Sequence, residues 1–135
     1  DKKCRVTILS GDVHVAAVGV LQSDRNDVPP NASVINQLTS SGIVHPSPPA
    51  VVRYFLEQAC KVVETVDRGI TATMFEFPAT TRRLIGARNF LTLEPDAQDR
   101  LWANWWVEGE VTPTTKVIHP VQLKQNAVEP QSNPK

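Results

Sequence analysis

Two nearly continuous apolar runs open the chain, "VTIL" (residues 6–9) and "VAAVGVL" (residues 15–21). Runs of this kind predict strands buried on both faces, the second interrupted by Gly19. Between them lies a polar knot of Ser10, Gly11, Asp12 and His14. "QSDRNDVPPN" (residues 22–31) is polar and carries Pro29 and Pro30, so it reads as a loop. "ASVINQLTSSGIV" (residues 32–44) returns to strand formers through Leu38 and Thr39, then reaches Ser40, Ser41 and Gly42. "HPSPP" (residues 45–49) is irregular or extended, because proline fixes φ and restricts the residue before it.

A helix is predicted next, with Ser47 as N-cap and Pro48 and Pro49 in the first turn. Val51, Val52, Phe55, Leu56, Ala59, Val62, Val63 and Val66 recur at helical spacing. That register leaves Arg53, Glu57, Lys61 and Glu64 outward, and Gly69 is the predicted stop. "ITATMFEF" (residues 70–77) then alternates as a strand. "NFLTLEPD" (residues 89–96) and "DRLWANWWVEGE" (residues 99–110) read as two strands turned at Pro95 and Asp96. In the second, Leu101, Ala103, Trp105 and Val107 share one face, opposite Trp102, Asn104, Trp106 and Glu108. "TKVIHPVQL" (residues 115–123) is a last short strand or extended segment, and residues 124–135 read as a frayed, flexible tail. The sum is an α+β chain richer in strands than in helices. The run at residues 6–9 demands neighbours on both edges and cover on both faces, which implies that part of its sheet belongs to other sequence.

At 135 residues, 41% apolar and 21% charged, the chain fits one soluble-type domain with a real core. Fourteen basic residues balance fourteen acidic ones, and the densest basic cluster is only Lys2, Lys3 and Arg5. That balance argues against nucleic acid or an anionic membrane as partner. No apolar window of about 18 residues is present, so no membrane span is expected. The N-terminus lacks the apolar core of a secretory signal. Cys4 and Cys60 leave a disulfide and free thiols both open, and the absence of Cys-x-x-Cys argues against a structural zinc. Asn31-Ala32-Ser33 is a glycosylation sequon of consequence only in a secreted eukaryotic protein.

The polar knot admits several chemistries. In an extended segment Asp12 and His14 would project to one side with Cα atoms roughly 6.5–7 Å apart. That suits two ligands on one metal, or one ligand on each of two metals about 3.5–4 Å apart. A carboxylate with a neutral imidazole suits first-row transition metals. The alternatives are a tight hairpin turn organised by Asp12, a core histidine, and a Ser10 nucleophile with His14 as base. The last lacks the Gly-x-Ser-x-Gly pattern.

"LSGDVH" (residues 9–14) resembles the last metal-ligand motif of the PhoD-like alkaline phosphatases, members of the metallophosphoesterase superfamily. Where that superfamily carries Gly-His-x-His, PhoD-like members carry Gly-Asp-x-His, matched here by Gly11, Asp12, Val13 and His14. "LTSSGIVHPSPP" (residues 38–49) is similar to the family's strand, Ser-Ser-Gly turn and proline-rich helix entry, and "RNFLTLE" (residues 88–94) to its late strand. The resemblance spans residues 5–107. It implies the C-terminal portion of a metallophosphoesterase-like β-sandwich flanked by helices, over residues 1–123. It also implies that Asp12 binds the second metal and His14 the first. The metals, iron, calcium, zinc or manganese, would hold a phosphomonoester or phosphodiester and activate the attacking water.

Apart from residues 12–14 themselves, the superfamily's upstream motifs, Asp-x-His or a variant, Gly-Asp-x-x-Asp and Gly-Asn-His-Asp/Glu, do not occur in these residues, and residue 15 is Val. Two ligands are too few for a dinuclear centre. The expectation is a hydrolase, a metal-dependent phosphatase, whose missing N-terminal part of the same domain supplies the other ligands and without which this segment is inactive. Ser41, Gly42 and His45 are the candidate substrate contacts beside the metals. Arg82, Arg83 and Arg88 are the candidate phosphate partners, with a solvated loop as the plainer reading. The competing function is a non-catalytic β-rich binding or assembly domain, in which Asp12 and His14 are satisfied locally. A relative that has kept the fold and lost its metals is a third.

Overall fold

The computed structural model describes residues 4–27 and 29–121, so the expected tail at residues 124–135 lies outside the described residues, as do residues 122 and 123 of the last predicted strand. The described residues form nine strands and one α-helix: β1 (Thr7–Gly11), β2 (Ala16–Ser23), β3 (Val34–Ser40), α1 (Ala50–Ala59), β4 (Glu64–Asp67), β5 (Ile70–Phe75), β6 (Leu84–Ile85), β7 (Asn89–Pro95), β8 (Leu101–Val107) and β9 (Thr114–Ile118). The larger sheet has the order β1-β3-β2-β5-β4, with β6 also paired to β2, and the smaller has the order β7-β8-β9. The chain is thus mostly β, built on two sheets.

The core forms between the sheets. Ala16 and Val18 of β2 and Leu38 of β3 pack with Ala103 and Trp105 of β8 and Ile118 of β9. Trp105 is fully buried, its ring edge-on to Phe77 at 5.1 Å, and its indole N–H donates to the Thr39 carbonyl at 3.0 Å. Of the two faces predicted for β8, the one carrying Ala103 and Trp105 enters the core, with Leu101 and Val107 packed at its margin. The β7–β8 hairpin forms as predicted, Pro95 opposite Leu101 and Asn89 opposite Val107. Asp96 organises its turn, accepting from the indole N–H of Trp102, the guanidinium and backbone N–H of Arg100, and the backbone N–H of Gln98.

Three expectations are corrected. First, β1 is not buried on both faces. Among the described residues it pairs only with β3, at the sheet edge, and Val6, Ile8 and Leu9 are exposed. Leu9 lies beside fully buried Leu38, so the smaller sheet covers β3 but stops short of β1. Second, the helix is short. Pro49 is its N-cap, Ser47 makes no cap bond, and Cys60 closes it. Residues 62–63 lead instead into β4, because β5 offers that segment an antiparallel partner. Gly69 serves the β4–β5 turn at φ +72°, where a Cβ would strike the Asp24 carboxylate at 2.4 Å. Third, α1 is turned about relative to its predicted register. Glu57 faces the body, its carboxylate accepting the backbone N–H groups of Arg83 (2.6 Å) and Leu84 (3.2 Å). Val51, Val52, Phe55 and Leu56 face outward, since no described element offers them a surface. Among the described residues the flanking helices are therefore reduced to this one.

Candidate functional site

The topology explains the polar knot. β1 and β2 lie on either side of β3, which is parallel to β1 and antiparallel to β2. Residues 12–15 must cross the end of β3, a span of roughly 9–10 Å for two strand spacings. The connection is therefore neither a hairpin nor an extended segment, although the local turn expected of Asp12, organised through a nearby backbone N–H, is formed. The Asp12 N–H donates to the Ser40 carbonyl at 2.8 Å, carrying the strand pairing one residue past Gly11. The chain then bends, with Asp12 Oδ1 accepting the backbone N–H groups of His14 (2.8 Å) and Val15 (2.9 Å). These donors hold the Asp12 carboxyl below its ordinary pKa, the N–H of His14 contributing most. Asp12 Oδ2 has no hydrogen-bond partner among the described residues.

The crossing segment lies on the turn that follows β3. A Cβ at Gly42 would sit 3.0 Å from the Val13 carbonyl oxygen, so residue 42 must be small for the two loops to meet. Their meeting places the His14 and His45 rings edge-to-face with centroids 5.7 Å apart. Asp12, His14 and His45 are all exposed. Three of the sequence candidates thus share an open rim at the ends of two parallel strands, with Gly42 as the hinge of their approach.

Ser41 is different. It is 8% exposed, its N–H donates to Asn89 Oδ1 (3.1 Å), and its hydroxyl donates to the Ala87 carbonyl (3.2 Å) while accepting from Asn89 Nδ2 (2.8 Å). Ser41 pins the rim loop to the second sheet, with its hydroxyl turned away from solvent. Asn89, 3% exposed, is the partner that residue-level reading missed. Its one signal was an amide on the inward phase of an otherwise apolar strand. Among the arginines, Arg83 bonds Glu76 (3.1 Å) and the Met74 carbonyl, and Arg88 pairs with Glu108. Arg82 has no side-chain partner among the described residues. Both cysteines are free, and burial pushes the Cys60 thiol up.

The donor set at the rim, one carboxylate oxygen and two imidazoles, has the chemistry of a transition-metal site. It is not a complete shell: among the described residues no three His, Cys, Asp or Glu side chains are grouped to hold a metal ion. No helix among the described residues is long and apolar enough to cross a membrane. No protein-family model, curated protein or solved structure matches the chain.

Proposed function

We propose that this chain is part of a metal-dependent phosphoester hydrolase of the PhoD-like kind, and that the rim of Asp12, His14 and His45 is one corner of its active site. The observation that carries the reading is that Asp12 and His14 lie on the segment leaving parallel strand β1, with the His14 ring against that of His45 beyond β3 and Asp12 Oδ2 uncommitted among the described residues. Asp12 and His14 would hold metal. His45 would contact the phosphate, and Gly42 lets the loops close on the site. When bound, the metals would supply charge for the phosphoryl oxygens and a water acidified to a hydroxide nucleophile. The chain's own part is to keep Asp12 ionised, through two backbone donors, and to hold His14 against His45.

The outer edge of β1, unpaired among the described residues, with Val6, Ile8 and Leu9 exposed, supports the second half of the proposal. The remaining ligands come from sequence outside these 135 residues, on a segment that completes the sheet beside β1. This gives the finer fold assignment, the C-terminal portion of a metallophosphoesterase-like sandwich. The competing reading, a non-catalytic domain, draws on Asp12 Oδ1, which is fully engaged in its local turn.

Intact mass and metal analysis of the protein from its natural source, with Asp12→Ala and His14→Ala in the gene, decide between them. The proposal expects bound metal, and a loss of phosphoesterase activity of about 100-fold or more in each variant. A metal-free protein, or activity that survives both substitutions, would overturn it.

A further inference from the structure

A second polar feature lies between α1 and the loop at residues 78–87. Arg53 of α1 and Arg82 of that loop both line two adjoining cavities of about 270 and 550 Å³. Neither guanidinium has an ion pair or hydrogen bond among the described residues, and the Nε of Arg53 is buried without a partner. Arg83 and Arg88, close by in sequence, are both paired. A buried guanidinium N–H left unmet is costly and calls for an acceptor.

The position of Arg53 is built into the backbone. A Cβ at Gly86 would lie 2.5 Å from Arg53 Cδ and 3.0 Å from Ser47 Oγ, so glycine lets the arginine lie flat on the chain. The smaller cavity is walled by Tyr54, Leu84 and Gly86, and its one carboxylate, Glu57, already accepts two backbone N–H groups. Two cations against one acid leave that cavity net positive. The larger cavity is lined also by Glu108, which is paired with Arg88, and by Glu110.

We infer that the cavity between α1 and residues 82–86 is an anion site, in which Arg53 and Arg82 together clasp a phosphate-type oxyanion. Guanidinium forks match such oxygens with paired hydrogen bonds. The small volume suits a free phosphate or the phosphate end of a simple ester, and not a nucleotide. The site does not depend on the rim, so its test needs no catalysis.

The experiment is an NMR titration of the 135-residue chain with inorganic phosphate and with phenyl phosphate, against sodium chloride at matched ionic strength. It follows the Arg53 Nε–Hε resonance. The expected result is a saturable shift with at least one of the two phosphates and none with chloride. Arg82→Gln, on an exposed loop, and Gly86→Ala should each weaken binding about tenfold, while Arg88→Gln leaves it unchanged. Tighter binding of phenyl phosphate assigns the site to an ester, and equal or weaker binding to free phosphate. A non-saturating shift matched by chloride, or saturable binding that survives Arg82→Gln, would overturn the inference.

Discussion

Strands β8 and β1 both read as apolar strands, yet their surroundings differ. Ala103 and Trp105 of β8 are fully buried, whereas Val6, Ile8 and Leu9 at β1 stand 52, 43 and 56% exposed. β8 has β7 and β9 on its two edges and β2 and β3 across the core. β1 has β3 on one edge and no partner among the described residues on the other. α1 belongs with β1: its charged Glu57 is anchored while Val51 and Phe55 are 67 and 66% exposed. An apolar pattern states that a surface is to be covered, and says nothing of what covers it. An apolar strand at a sheet edge and an outward apolar helix stripe are two uncovered surfaces of the kind that association buries, and Asp12 and His14 follow directly on β1.

The contrast can be broken most forcefully at Trp105. Trp105→Ala removes the central core ring and should cost about 3–5 kcal/mol in urea unfolding. A loss under about 1 kcal/mol would show that the two sheets are not held together there. Next is Asn89→Ala, which strands the buried Ser41 N–H and should cost about 1–3 kcal/mol, again by urea unfolding. An unchanged midpoint would show that the rim loop is held by other means.

The hairpin turn gives a pH-dependent test. Asp96 is held well below the usual carboxylate range, first by the indole N–H of Trp102 and then by its Arg100 and Gln98 donors. A depressed folded-state pKa contributes stability that is present above the unfolded value, about 3.9, and is lost as pH falls through the folded value. Asp96→Asn should therefore lower Tm at neutral pH, with the gap from wild type closing in acid. A gap constant from pH 7 to acid would contradict this. The smallest effect is expected on the uncovered side. Phe55→Ser should change the stability of the isolated chain by no more than about 0.5 kcal/mol. A loss above about 2 kcal/mol would mean that Phe55 is covered after all.

These regions also differ in how far the sequence revealed them. The alternation of residues 101–107 matched burial in part: Ala103 and Trp105 of one face are fully buried and Trp106 of the other is exposed, but Asn104 between them is buried as well, held by Glu94 and Thr115 of the neighbouring strands. Pro95 and Asp96 marked the hairpin, since turn chemistry is local. The helix ran too far because Val62, Val63 and Val66 satisfy helical spacing, while the competing pairing with β5 is a long-range fact. At the rim, the sequence paired Asp12 with His14 by assuming extended backbone. Their actual placement follows from strand order, with residues 12–15 crossing β3, which no local pattern reports. The nearness of His45 and the burial of Ser41 by Asn89 depend on the same order.

The most direct test of the rim is a zinc titration of the 135-residue chain, observed at its histidine ring nitrogens. His119, beyond β9, is an exposed internal control. The account predicts that His14 responds first and that Asp12→Asn weakens the response, while His119 stays unchanged until much higher metal. A His14 ring that ignores zinc, or one that responds no sooner than His119, would contradict the assignment of Asp12 and His14 as metal ligands.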